Sequence, residues 1–147
     1  IFYSMTIWRD TVTLEMLNDL NKNTLGEFFE ISFTEIGPDF VKAKMPVVNK
    51  TKQPFGLLHG GASVALAETV GSVASWCVVN RDLFMGVGVE INANHIKAVT
   101  AGFVTATCAP LKIGGKIHIW EIKITDEANE LCCVSRFTCM IVPTRKP

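Results

Sequence analysis

His59-Gly60-Gly61-Ala62-Ser63-Val64-Ala65-Leu66-Ala67-Glu68-Thr69-Val70-Gly71-Ser72-Val73-Ala74-Ser75-Trp76-Cys77-Val78-Val79 carries the strongest structural signal in the chain. From Gly61 to Val79 the residues are apolar nearly all round and most are small, as in a helix enclosed by protein on every side. This is the only long helix in the chain's pattern. A membrane span is the competing reading, but Glu68, Thr69, Ser72 and Ser75 fall in its middle, where a carboxylate costs several kcal/mol in lipid. The segment is therefore expected to be a core helix, and no membrane is expected as a partner.

Upstream, Leu14, Leu17 and Leu20 recur at helical spacing behind Thr13, a capping residue, which predicts a short peripheral helix over residues 13–21. Residues 29–36 and 40–46 read as two strands of a hairpin turned by Gly37-Pro38-Asp39. A loop over 48–58 leads into the long helix. Downstream, four strands are expected over 87–93, 102–109, 116–125 and 131–142, with turns at Thr100-Ala101-Gly102, Gly114-Gly115 and Asp126-Glu127-Ala128-Asn129. Val87, Val89, Ile91 and Ala93 share one parity, as do Trp120, Ile122 and Ile124, so one face of the sheet should be buried. Two strands, a helix and four strands predict an α+β fold, an antiparallel six-stranded sheet with one helix on its apolar face.

The 147 residues suit a single domain, 1–147, and 48% apolar against 19% charged residues is a composition that folds. Because Met5 is the first methionine, residues 1–4 read as a remnant or an upstream extension. Fourteen basic and fourteen acidic residues leave no net charge to gather a phosphate backbone, so nucleic acid is not expected as a partner. Five cysteines without a Cys-x-x-Cys pair, and an N-terminus without a secretory pattern, point to free buried thiols in a cytoplasmic protein. His59, His95 and His118 lie too far apart in sequence for a metal motif. There is no Gly-x-Ser-x-Gly elbow and no phosphate-binding loop.

Gly60 and Gly61 open the long helix, where free N–H donors and the positive end of the helix dipole favour negative charge. A carbonyl turning into an oxyanion would be stabilised there, although the glycines alone also fit a tight turn. Glu68, a carboxylate inside an apolar helix, is the candidate nucleophile or general base. Ser72, one turn on, shares its face and could orient it. Eight residues separate Gly60 from Glu68, about 12 Å of helix, too far for both to meet one carbonyl. If the two act together, they do so from different subunits, and a dimer is a catalytic condition. His59 either contacts substrate or holds the loop, and Gln53 either orients a bound carbonyl group or a water through its amide or is structural.

Four blocks, Gln53-Pro54-Phe55-Gly56-Leu57-Leu58-His59-Gly60-Gly61 through Glu68, Gly88 through His95, Pro110 through Gly114 and Leu131 through Arg136, resemble in order the hotdog-fold acyl-CoA thioesterases. The resemblance is strongest to the bacterial branch that holds the 1,4-dihydroxy-2-naphthoyl-CoA and enterobactin-proofreading thioesterases. It implies a hotdog fold, a sheet wrapped around the long helix, and hydrolysis of an acyl-CoA, aryl-CoA foremost. It also implies catalytic Glu68, a Gly60 N–H that polarises the carbonyl, Gln53 and His59 positioning the thioester, and Ser72 assisting. Gly61, His95, Gly115 and Lys116 become candidate contacts to substrate and coenzyme A. Apart from the resemblance, Trp76, Phe55, Met85 and Val73 are candidates for the pocket of the acyl group. The same resemblance implies a homotetramer built from dimers, with coenzyme A as part of the substrate and no separate cofactor. A hotdog hydratase or dehydratase and a non-catalytic acyl-CoA sensor are the alternatives. Free thiol released from an acyl-CoA separates both from a thioesterase.

Overall fold

The structure, a computed structural model, describes residues 5–144. Thr13 accepts a hydrogen bond from the Met16 N–H and starts α1 (Leu14–Asp19). Of Leu14, Leu17 and the capping Leu20 only Leu17 is buried, so α1 is peripheral as the leucine spacing suggests. A second short helix, α2 (Leu25–Phe28), follows under a Thr24 cap and has no counterpart in the sequence reading. The expected strand over 29–36 is shortened to β1 (Ser32–Ile36). Phe29 ends α2, and Glu30 turns the chain with φ at +56°, so neither can extend the strand.

β2 (Val41–Pro46) pairs with β1 across the expected turn, where the Gly37 N–H donates to the Phe40 carbonyl over 2.8 Å. After a 3-10 turn at Asn49–Thr51 comes α3 (Gly60–Val78), then β3 (Phe84–His95), β4 (Phe103–Ile113), β5 (Ile117–Thr125) and β6 (Leu131–Pro143). β4 runs past the expected end at 109. A register shift between Pro110 and Lys112 absorbs the proline, which could not sit in a regular ladder.

All six strands form one antiparallel sheet in the order β1-β2-β4-β5-β6-β3. α3 packs on its inner face against β2 through β6 and buries Leu66, Ala67, Val70 and Ala74 completely. Val104, Ala106, Trp120, Ile122, Ile124 and Phe137 meet it from the sheet. α3 is the one helix among the described residues long and apolar enough to cross a membrane, and more than half of that stretch is buried inside the protein. The hotdog architecture expected from the sequence is the one observed.

The face assignment of β3 needs correction. Its register against β6 shifts between Gly88 and Glu90, leaving Val89 as the extra residue of a bulge. Gly88 then opposes Cys139 as Ile91 opposes Phe137, so Gly88, Ile91 and Ala93 share the inner face while Val87 and Val89 are exposed.

Candidate active site

The site is organised by the first turn of α3. His59 is its N-cap, and His59 Nδ1 accepts the Gly61 N–H over 2.8 Å. The Ala62 and Ser63 N–H groups donate to the His59 carbonyl. Gly61 is thus already committed, and among the described residues the Gly60 N–H is the donor left free at this helix end. His59 is in turn tied to the loop by its own N–H, which donates to the Thr51 carbonyl. His59 thus holds the loop through its backbone N–H and caps the helix through its ring.

Gly60 lines a cleft of about 300 Å³ together with Gln53, Ser63, His95 and Lys97. His95 Nε2 lies so close that a β-carbon on Gly60 would stand 2.7 Å from it. Glycine here lets the His95 ring approach the helix end, and a larger residue would push that ring aside. The Gln53 side-chain oxygen accepts the Phe55 N–H of its own turn, which leaves the amide NH₂ as the end available to a ligand. Sequence reasoning missed Ser63 and Lys97. Ser63 was hidden among small helix residues, and Lys97 lies just past the end of β3, where spacing carries no signal. Hydrogen bonds donated to Asp126 and Glu130 hold Lys97 above the usual lysine range, and the same pairing lowers Asp126.

Glu68 is not in this cleft. It lies two turns along α3, half-buried, with Oε1 against Gly88 of β3 and no hydrogen-bonding partner among the described residues. Ser72 follows one turn later, also half-buried. Gly115 and Lys116 stand at the opposite end of the sheet. His95 pairs with Cys133, which pairs with Ile124, whereas Lys116 precedes Ile117 at the other end of β5. That separation is about 25 Å of strand. One chain therefore brings together Gln53, Gly60 and His95, with His59 behind them, and holds Glu68 with Ser72, and Gly115 with Lys116, apart from them.

Of the residues considered for the acyl group, Phe55 and Met85 are exposed, and the Arg81 guanidinium covers one face of Trp76 at 4.2 Å. All five cysteines are unpaired and buried. Burial pushes the Cys77 thiol up to about 12, which removes it as a nucleophile at neutral pH. Among the described residues, no three His, Cys, Asp or Glu side chains come together as a metal site requires.

Comparison with known proteins identifies the family. Residues 55–133 match the family model of the thioesterase superfamily. The chain is 47% identical over 136 residues to the 1,4-dihydroxy-2-naphthoyl-CoA hydrolase of Escherichia coli, covering 92% of this chain and 99% of that one. It is equally identical, over 136 residues, to a proofreading thioesterase of Cronobacter turicensis, covering 92% and 98%. A crystal structure of a mutant thioesterase from Pseudomonas aeruginosa superposes with a TM-score of 0.93 at 40% identity, covering 95% of this chain and all of that one. A single fold, a family match over more than half of the chain and relatives aligned along nearly their full lengths have one reading: the chain belongs to the thioesterase superfamily and is a hotdog-fold thioester hydrolase.

Proposed function

We propose that the chain hydrolyses acyl-coenzyme A esters, with aryl-acyl conjugates such as 1,4-dihydroxy-2-naphthoyl-CoA as the favoured class. In this reading Glu68 of one protomer acts on a carbonyl held by Gly60 of the partner subunit. The observation that carries it is the division of the site. A free Gly60 N–H beside Gln53 and His95 lies in one place, and a partnerless Glu68 carboxylate on β3 in another.

The edge of the sheet supports the pairing. β3 is an edge strand of twelve residues, and Phe84, Met85, Val87 and Val89 on it remain exposed. Such an edge offers a row of unpaired backbone groups to another strand. Two copies of β3 paired antiparallel, with His95 opposite Gly88 of the partner subunit, have their twofold axis near Ile91 and Asn92. Each Gly60 cleft then meets Glu68 of the partner subunit. The same pairing turns Lys116 of the partner subunit toward the His95 end of β3, the side on which an anionic coenzyme A tail would need a cation. A pair of such dimers gives the tetramer.

Within that site the Gly60 N–H and the dipole of α3 stabilise the oxyanion, the Gln53 amide orients the thioester, and His59 keeps the helix end rigid. Ser72 orients the Glu68 carboxylate or a water. Glu68 either takes a proton from water as its oxygen adds to the carbonyl carbon, or adds directly and is released when water opens the resulting anhydride. On both routes the C–S bond breaks, the sulfur leaves as a thiolate that takes up a proton, and the acyl group leaves as a carboxylic acid. Water is the only co-reactant. Five buried thiols suit the reducing cytoplasm.

Glu68→Gln should fold and assemble normally while kcat falls by about 10³-fold or more, within the range of a lost acid–base or nucleophilic group. Rates on naphthoyl, benzoyl, phenylacetyl and fatty acyl coenzyme A esters give the substrate preference. Near-normal turnover of Glu68→Gln on every ester overturns the reading.

A further inference from the structure

We infer that Gly88 is a positioning residue for Glu68, because its missing side chain leaves the hollow on β3 in which the carboxylate lies. This rests on the reading of Glu68 as the reacting group. A β-carbon at Gly88 would stand 2.8 Å from Glu68 Oε1 and 3.0 Å from the Phe137 ring, both inside normal contact. The backbone does not itself demand glycine there, since its φ lies outside the left-handed region. What the position requires is space.

Two features make the hollow. The bulge at Val89 turns Gly88 onto the inner face opposite Cys139, where uninterrupted alternation would have carried Val87 and Val89 to the face shared by Ile91. Phe137, fully buried beneath α3, closes the bottom. Glu68 has no hydrogen bond within the described residues, so it is aimed by shape. Of the two groups that a new methyl group would meet, the nearer is the free end of a flexible side chain, which yields by rotating, while the Phe137 ring has to give by only a few tenths of an ångström. A substitution at Gly88 therefore moves the carboxylate before it disturbs the core.

Gly86, two residues earlier on the same strand, is the internal contrast. A β-carbon there would meet Cys139 Sγ at 2.7 Å and Ser75 Cβ at 3.4 Å, which are packing atoms with no part in the reaction.

The experiment compares Gly88→Ala, Gly86→Ala and Glu68→Gln in the full chain by kcat, KM, melting temperature and oligomeric state. It repeats Gly88→Ala in a Glu68→Asp background. Gly88→Ala should lose about 100-fold in kcat, the scale of a misplacement near 1 Å, with KM within about twofold and the fold intact. Gly86→Ala should lower the melting temperature and keep kcat. In the Glu68→Asp background, whose carboxylate ends one carbon short of the collision, the Gly88→Ala loss should shrink to under about 5-fold. The inference is overturned if Gly88→Ala keeps wild-type kcat, if it unfolds, or if its loss is undiminished in the Glu68→Asp background. Turnover by Glu68→Gln overturns the underlying reading as well. An inactive Glu68→Gln beside a fully active Gly88→Ala overturns the inference alone.

Discussion

β5 and β3 belong to the same sheet and have nearly opposite surroundings. β5 runs between β4 and β6, and His118, Trp120, Ile122 and Ile124 all point inward and are buried. β3 hangs on a single neighbour, is broken by a bulge, and leaves Val87 and Val89 open to solvent. The strand with regular alternation is the one whose surroundings come entirely from its own chain. β3 pairs with β6, carries Gly88 against Glu68 and leaves its other edge free. In the proposed dimer the room for Glu68 and the free edge would be supplied by glycines and exposed apolar groups that a partner subunit covers.

Breaking the central strand should have the largest effect on stability. Trp120→Ala removes a fully buried ring and the indole N–H that donates to Ser75 Oγ over 2.8 Å. It should cost about 3–5 kcal/mol in urea or thermal unfolding. Val89→Asp at the edge should leave the fold within about 1 kcal/mol of wild type, as surface changes do. By sedimentation it should separate the protomers, with turnover falling in proportion to the dimer lost. A fully active, undissociated Val89→Asp would mean that the seam lies elsewhere.

The smallest effect distinguishes the two strands by pH. Burial lowers the His118 pKa below its ordinary value of 6.5, against a hydrogen bond to the Gly114 backbone that raises it, so the folded protein favours neutral imidazole. The unfolded chain binds the proton first. Its contribution to stability is complete above about pH 6.5 and is lost as pH falls through that value toward the depressed folded one. A melting temperature that declines with acid in wild type and declines less in His118→Asn would confirm it.

The contrast between β5 and β3 also separates what could be read in advance from what could not. α3 was legible because it is apolar nearly all round with Glu68 in its middle, which favours a helix enclosed by protein over a membrane span, and β5 because Trp120, Ile122 and Ile124 keep one parity. His118 shares that parity, and its Nδ1 lies 3.1 Å from Ser75 Oγ, a contact visible only once α3 and β5 are packed together. α2 was missed because four residues make too short a window for periodicity. The bulge at Val89 was missed because local alternation continues straight through it, and only the pairing with β6 reveals the shift. Glu68 stood out as a charge among apolar residues, whereas the commitment of the Gly61 N–H to His59 depends on a rotamer.

Each turnover of a thioester hydrolase liberates a sulfhydryl compound into the surrounding solution. An accessible sulfur on the catalyst would be open to mixed-disulfide formation with that product whenever conditions turned oxidising. Cys77, Cys108, Cys133 and Cys139 are held inside, away from the Gly60 cleft, and raised in pKa, which keeps them out of that exchange; Cys132, also buried and raised, is the thiol that lines the cleft.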